Sequence, residues 1–419
     1  MVGRGSLNST ANADPWAYFE ELREGGEVVW DDEMNAWLVT SYEACKEMAR
    51  GDDTFWRPVY IPNDDRPMLG LSREALAQFM GSGGSRVIFL LEGEEHHQLH
   101  RWWMRTFSPN VLAGWREAVI RPIVQAQIDR FAARGRAELV EDLASRVPPR
   151  VIGAVMGLPW QDDEWLEHLL GLVMARLELI QRQADAYMDP EVVERGLAAG
   201  RELSEILLPF VRERRSGTGD DLISRLWADA PSFYEGEFDE LDILGNVKTM
   251  FDGGAKSTVY AISNALYLLL VHPGLQDELR AGGSKAVERF TEESLRLFGP
   301  VQFRPRVALR DVELAGVQIR RGEMAIAVNI AANRDPRKYD CPAEIDLNRP
   351  APRDHLSFYA GQRSCTGQAL ARAELEEVTT MVLDQLADLR LDADADPPEY
   401  QELLMRRWAP LHVRFAPVA

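Results

Sequence analysis

Cysteine is scarce: Cys45, Cys341 and Cys365 are the only three in 419 residues, and they lie far apart. An odd, scattered set points to free thiols in a reducing compartment, not to a disulfide framework. Neither C-x-x-C nor H-E-x-x-H occurs, so no zinc site is expected. Long apolar runs are also missing. The longest, "AISNALYLLLV" (261–271), falls short of the ~18–20 residues of a membrane span and carries Ser263 and Asn264. The opening "MVGRGSLNSTANADPW" lacks the apolar core of a signal peptide, so a cytoplasmic protein is expected. Positive charge is in deficit, with 47 Lys and Arg against 67 Asp and Glu and a formal net charge of −20. Nucleic acid and anionic membrane are therefore not expected partners. No internal repeat, low-complexity tract or flexible linker interrupts the chain. With 46% hydrophobic residues it can bury a substantial core, and one large domain over 1–419 is expected, with 1–13 as a disordered lead-in.

What is present reads mostly as helix. "DPWAYFEELREGG" opens with Asp14 as N-cap and Pro15 at the first helical position. "EVVWDDEMNAWLVTS" reads as strand, turn and strand. The stretch 51–91, rich in Pro and Gly, reads as a long irregular segment, which in compact domains is often functional. Helical patterns then run from Glu94 to Arg280, broken by a loop at "RRSGTGDD". Within them "FDELDILGNVKTMFDGGAKSTVYAISNALYLLLVHP" predicts one helix of more than 30 residues ended by Pro273, apolar on most faces and so in the core. From Val301 apolar and polar residues alternate, with Ala-Gly and Arg-Gly turn signals, and strands are expected. A last helix starts near Cys365, with Leu375, Val378, Val382 and Leu386 at helical spacing. The fold class is mainly α with a smaller β-rich side.

The chemistry centres on "HLSFYAGQRSCTGQALARAEL". Gly361 and Gly367 bracket Cys365 and permit close backbone approach. A helix start beside the sulfur would lower its pKa and favour a thiolate. Read from these residues alone, the thiol is a buried structural cysteine, a nucleophile needing a histidine such as His355, or a ligand to iron. The cations His355, Arg353 and Arg363 around it suit the last, because haem needs one axial thiolate and partners for its propionates.

Here the sequence resembles the cytochrome P450 family of the soluble bacterial type. "FYAGQRSCTG" (358–367) fits that family's signature at every required position, although Tyr359 stands where many relatives have Gly. "EESLR" supplies its Glu-x-x-Arg pair, Glu293 and Arg296. "ANRDPRKYDCPAEIDLNRP" resembles the segment that brings Arg349 to that pair, and "EEHHQLHRWWMRTFSP" the helix crossing a haem edge. The resemblance covers the chain from about Asp14 onward. It implies a cytochrome P450-like domain with a long central helix over haem b, Cys365 as iron ligand and Phe358 packing near the sulfur. It implies Glu293, Arg296 and Arg349 as a structural cluster, and His96, His100, Arg306, His355 and Arg363 as propionate contacts. Arg101, Arg105, Arg353 and Arg363 would form a basic docking face.

On the long helix, Gly253 and Gly254 occupy the family's oxygen-groove positions. Lys256 stands where an acid is usual and Ser257 where a threonine is usual. Lys256 would shuttle protons, pair with Asp252 at i, i+4, or play only a structural part. The resemblance implies a monomeric monooxygenase that takes dioxygen and two electrons from a ferredoxin and an NAD(P)H-dependent ferredoxin reductase. It would hydroxylate or O-dealkylate an apolar or aromatic small molecule. Oxidative coupling without oxygen insertion, or a non-oxygenating haem-thiolate protein such as a sensor, is the alternative, favoured by Lys256, and a cysteine hydrolase is a distant third. Substrate-pocket candidates are Trp56, Phe79, Phe89, Met250, Gly253, Val301, Phe303 and Leu404.

Overall fold

The computed structural model describes residues 15–419 except 33–34, 52, 57–85, 89, 182–189, 402–404 and 418–419. The expectations for 1–13, for Asp14 as a cap, and for most of the 51–91 segment lie outside the described residues. In chain order the elements that matter here are α1 (Pro15–Gly25), β1 (Val28–Asp31), β2 (Ala36–Val39), α2 (Tyr42–Arg50), β3 (Phe55–Trp56) and α3 (Gly93–Thr106). Then come α4 (Asp163–Gln181), α5 (Pro190–Glu213), α6 (Glu240–Val271) and α7 (Leu275–Phe298). The last are β4 (Phe303–Ala308), β5 (Val312–Leu314), β6 (Val317–Ile319), β7 (Met324–Val328) and α8 (Gln368–Gln385). Among the described residues no helix is long and apolar enough to cross a membrane.

Two compact units are formed. The first comprises Met1–Pro58, Ile120–Val147 and Ser257–Ala419. It carries a five-stranded sheet in the order β1-β2-β7-β4-β3. The β1–β2 hairpin is antiparallel, with Trp30 opposite Trp37, and β2 runs parallel to β7. β4 is antiparallel to β7 and to the short β3. The turn signals fall where expected: Ala315 and Gly316 take φ of +48° and +80° between β5 and β6, and Gly322 takes +87° before β7. One core cluster joins Val39, Tyr42, Cys45, Met48, Phe55, Leu356 and Tyr359. α2 is anchored over it by local chemistry, since the Ser41 hydroxyl accepts from the Ala44 N–H as N-cap.

α7 explains how charged residues reach the interior. Gly283 at φ +61°, ψ −152° breaks the helix in two. Beyond the break, every residue from Phe290 to Phe298 is buried, including Glu292, Glu293 and Arg296. α8 buries Leu375, Val378 and Val382 as their spacing predicts.

The second unit comprises Val59–Val119 and Pro148–Lys256. It holds α3, α4, α5 and the N-terminal part of α6. α6 has 32 residues, and ends two residues before Pro273, which has no N–H to continue it. Residues on all its sides are buried, among them Ile243, Leu244, Val247, Phe251 and Ala255.

Candidate functional site

Cys365 lies at the end of a loop whose backbone folds on itself. Its N–H donates to the Phe358 carbonyl at 2.9 Å, and the Tyr359 N–H to the Leu356 carbonyl at 2.8 Å. Gly361 is required at its position: φ is +73°, and a Cβ there would lie 2.6 Å from the Ala49 carbonyl oxygen. At Gly367, by contrast, a Cβ would meet nothing within 4 Å. α8 begins at Gln368, with Gly367 as its cap. Cys365 is a free cysteine, half-buried as a residue. Burial is the largest influence on it and pushes its pKa up. The Gly367 and Gln368 N–H groups and the Arg304 and Arg372 guanidiniums pull the other way without cancelling it. The helix start therefore does not by itself make a thiolate, as the sequence led us to expect.

Arg304 and Arg306 are two apart on β4 and so share one face of the strand. The Arg306 guanidinium lies 4.8 Å from the Tyr359 ring centroid, and that of Arg304 lies 5.7 Å from it. Arg306 Nη1 donates to the Pro305 carbonyl at 2.8 Å, and the buried Nε of Arg304 has no hydrogen-bond partner. Neither arginine forms an ion pair with a carboxylate among the described residues. Arg363 stacks 4.4 Å over Trp56. A soft sulfur donor beside two cations that lack a protein anion fits a haem, which brings an iron and two carboxylates.

His355 meets a carboxylate of α7. Its Nε2 lies 3.0 Å from Glu292 Oε2, and its Nδ1 accepts from the Ser357 N–H at 3.3 Å. With both ring nitrogens engaged by the protein, His355 braces the loop against Glu292. Glu292 also accepts from Arg372 at 2.6 and 3.1 Å and pairs with Arg353 at 3.4 Å. Burial raises the Glu292 pKa most, but His355 and Arg372 together outweigh it and hold the carboxyl below its ordinary range. Arg372 in turn lies 4.5 Å over the Phe358 ring. The sequence reading passed over Glu292 and Arg372. One signal was available: Arg372 falls one helical turn after Gln368, the first residue of the helix that follows Cys365.

The neighbouring carboxylate, Glu293, accepts from Arg296 at 2.7 and 2.8 Å, from Arg349 at 2.9 Å and from the Asp346 N–H at 2.9 Å. Arg296 also donates to the carbonyls of Asn333, Pro342 and Glu344. Glu293 and Arg296 are 0% and 1% exposed, so water does not weaken this cluster.

In the second unit, His96 is buried and His100 half-buried on α3, with ring centroids 5.7 Å apart. Arg101 points elsewhere, exposed and paired with Glu94 at 2.9 Å. α6 runs unbroken through Gly253 and Gly254. A Cβ at Gly253 would meet nothing within 4 Å, whereas one at Gly254 would press on Ile152 at 3.1 Å. Lys256 is buried, its Nζ 2.6 Å from the Met174 sulfur, and Ser257 is partly exposed.

Asp252 does not pair with Lys256, as the spacing allowed. Its Oδ2 is bound by the buried Arg176 of α4, a residue the sequence reading did not single out. Lys248, one turn before Asp252, is 0% exposed and donates to the Gly200 carbonyl at 3.0 Å and to Ser204 Oγ at 2.7 Å. Burial, then the nearby Arg176 charge, push Lys248 down to about 6, with Asp252 opposing. The ordinary lysine value is 10.5. Between those pH values the unfolded chain binds a proton that the folded chain sheds, so this group's contribution to stability rises with pH. Lys248→Met should raise the melting temperature near neutral pH and flatten the slope of stability against pH over that window. Thermal unfolding across the range checks this; an unchanged slope would mean the lysine is not the titrating group.

Of the pocket candidates, Phe79, Phe89 and Leu404 lie outside the described residues. Met250 and Phe303 are buried, Phe303 with its ring 6.2 Å from Phe19, and Val301 bridges to Met405. Trp56 is committed to the Arg363 stack.

Comparison with known proteins agrees with this arrangement. The family model described as Cytochrome P450 matches residues 71–410. Over 86% of this chain and 82% of the relative, the sequence is 31% identical to a vitamin D3 dihydroxylase of Streptomyces griseolus. It is 28% identical to a putative cytochrome P450 140 of Mycobacterium tuberculosis, over 99% of this chain and 94% of that one. The crystal structure of CalO2 superposes with a TM-score of 0.83 at 26% identity, covering 100% of both chains. With a family model spanning most of its length, and a thiol loop built as that family's signature requires, the chain belongs to the cytochrome P450 family.

Proposed function

We propose that this cytochrome P450 uses Cys365 to hold a haem iron and oxygenates an apolar or aromatic small molecule, by hydroxylation or O-dealkylation, with a proton relay that departs from the usual acid and threonine. The observation that carries the reading is the Cys365 loop, with a free thiol beside cations that lack protein anions. Bound there, with Cys365 holding its iron, haem would supply the centre for dioxygen chemistry. The residues of the chain do the rest. Arg304, Arg306 and Arg363 would neutralise the carboxylates of the group, a role the family resemblance also gives to His96 and His100. The Glu292 and Glu293 clusters keep the loop and α8 in place. Gly253 leaves room beside α6. Ser257 offers a hydroxyl that can pass a proton, and Lys256 offers an ammonium in place of a carboxylate. Electrons come from a ferredoxin served by an NAD(P)H-dependent reductase, in the cytoplasm.

Lys256 also favours a second reading, oxidative coupling without oxygen insertion, because that chemistry does not depend on an acid at this position. Reconstitution under ¹⁸O-labelled dioxygen separates the two. Labelled product supports oxygenation, and unlabelled coupled product supports the second. In the same assay Ser257→Ala should lower product formed per electron consumed, and Lys256→Asp should change it. Unchanged coupling in both variants would remove these residues from proton delivery.

A further inference from the structure

Tyr359 takes φ of +62°, a left-handed backbone that costs a residue with a side chain on the order of 1–2 kcal/mol. Something must offset that cost. Its ring is 7% exposed and belongs to the core cluster under α2. Two guanidiniums lie against it, Arg306 at 4.8 Å and Arg304 at 5.7 Å. These two like charges sit on the same face of β4 with no carboxylate partner among the described residues. Left to themselves they would repel. The aromatic face attracts both, each by roughly 0.5–2 kcal/mol depending on desolvation. Arg304 has a buried Nε without a hydrogen-bond partner, and its charge is close enough to Cys365 to favour the thiolate.

We propose that Tyr359 is a positioning residue: its ring face holds Arg304 and Arg306 together as one preorganised anion-binding pair for the haem carboxylates. This rests on the haem reading above and adds a role for the one residue of the loop that departs from the family's common glycine. The ring acts through the arginines, and the backbone strain at Tyr359 is kept because it places the ring there.

The test is hemin titration of the apoprotein, with the melting temperature of each apoprotein measured alongside. Tyr359→Phe keeps the ring face and should bind hemin as the unsubstituted protein does. Tyr359→Leu keeps bulk and the same backbone strain but loses the π face. Its hemin affinity should fall roughly tenfold, the loss of about one such contact. Arg304→Gln should lower affinity similarly, and the double variant should lose less than the two single losses combined, because one removes what the other acts through. Equal affinity in Tyr359→Leu and the unsubstituted protein would overturn the proposal. So would strict additivity with Arg304→Gln, or an equal loss in Tyr359→Phe. A melting temperature that falls in Tyr359→Leu with hemin affinity unchanged would assign the ring to packing alone and likewise overturn it. If the unsubstituted apoprotein fails to bind hemin, the haem reading fails instead.

Discussion

Cys365→Ser should abolish the red-shifted carbon monoxide band of the reduced holoprotein, and oxygenation with it. A serine hydroxyl is far less acidic than a thiol and donates less charge to iron, so it does not replace a thiolate as the electron-rich ligand. The loop itself should survive the change. The two side chains are close in shape, and the loop is held by the Cys365 N–H to Phe358 bond, the Gly361 turn and the Glu292 bracing, none of which uses the sulfur. Folding and hemin uptake measured beside the spectrum separate loss of the ligand from loss of the protein. A persisting band would move the iron ligand to another residue.

Glu293→Ala should destabilise the fold by about 3–5 kcal/mol, the usual cost of removing one partner from a buried charge cluster. The substitution leaves two buried guanidiniums, Arg296 and Arg349, facing each other, and leaves the Asp346 N–H without its acceptor. Both arginines also hold carbonyls of the 333–344 segment, so loosening should spread there. Denaturant unfolding of the apoprotein reads the loss directly. The pH dependence gives an independent check. Burial raises the Glu293 pKa most, yet Arg296, Asp346 and Arg349 together bring it below its ordinary 4.5. Its contribution to stability is therefore complete above pH 4.5 and is lost as pH falls through the lower, folded value. Glu293→Ala should remove that part of the acid sensitivity. A variant as stable as the parent, with the same acid limb, would mean the cluster is not a stabilising one.

Much of the architecture was legible because it is encoded locally. The long helix up to Pro273, the β1–β2 hairpin, the strands after Val301 and the buried stripe of α8 each follow from periodicity and turn residues within a few positions of one another. Gly361 was legible as a tight backbone position for the same reason. The Glu293–Arg296 pair was legible too, since three residues on a helix share a face.

Other features depend on residues that no local pattern connects. Glu292 meets His355 and Arg372 across separations of 63 and 80 residues, and Arg176 reaches Asp252 across 76. Spacing allowed Asp252 to pair with Lys256 along α6, and said nothing of a guanidinium arriving from α4. It offered His355 as one of several cationic groups near Cys365, and said nothing of Glu292 arriving at its Nε2. The thiol shows the same division. Helix dipole and nearby cations are visible in the loop sequence and favour a thiolate, but burial depends on everything packed around the loop and prevails. Sequence settles which residues can lie on one face of an element. Tertiary packing settles which charges lose their water, and that loss decides their partners and protonation, because an unpaired charge is costly only where solvent is excluded.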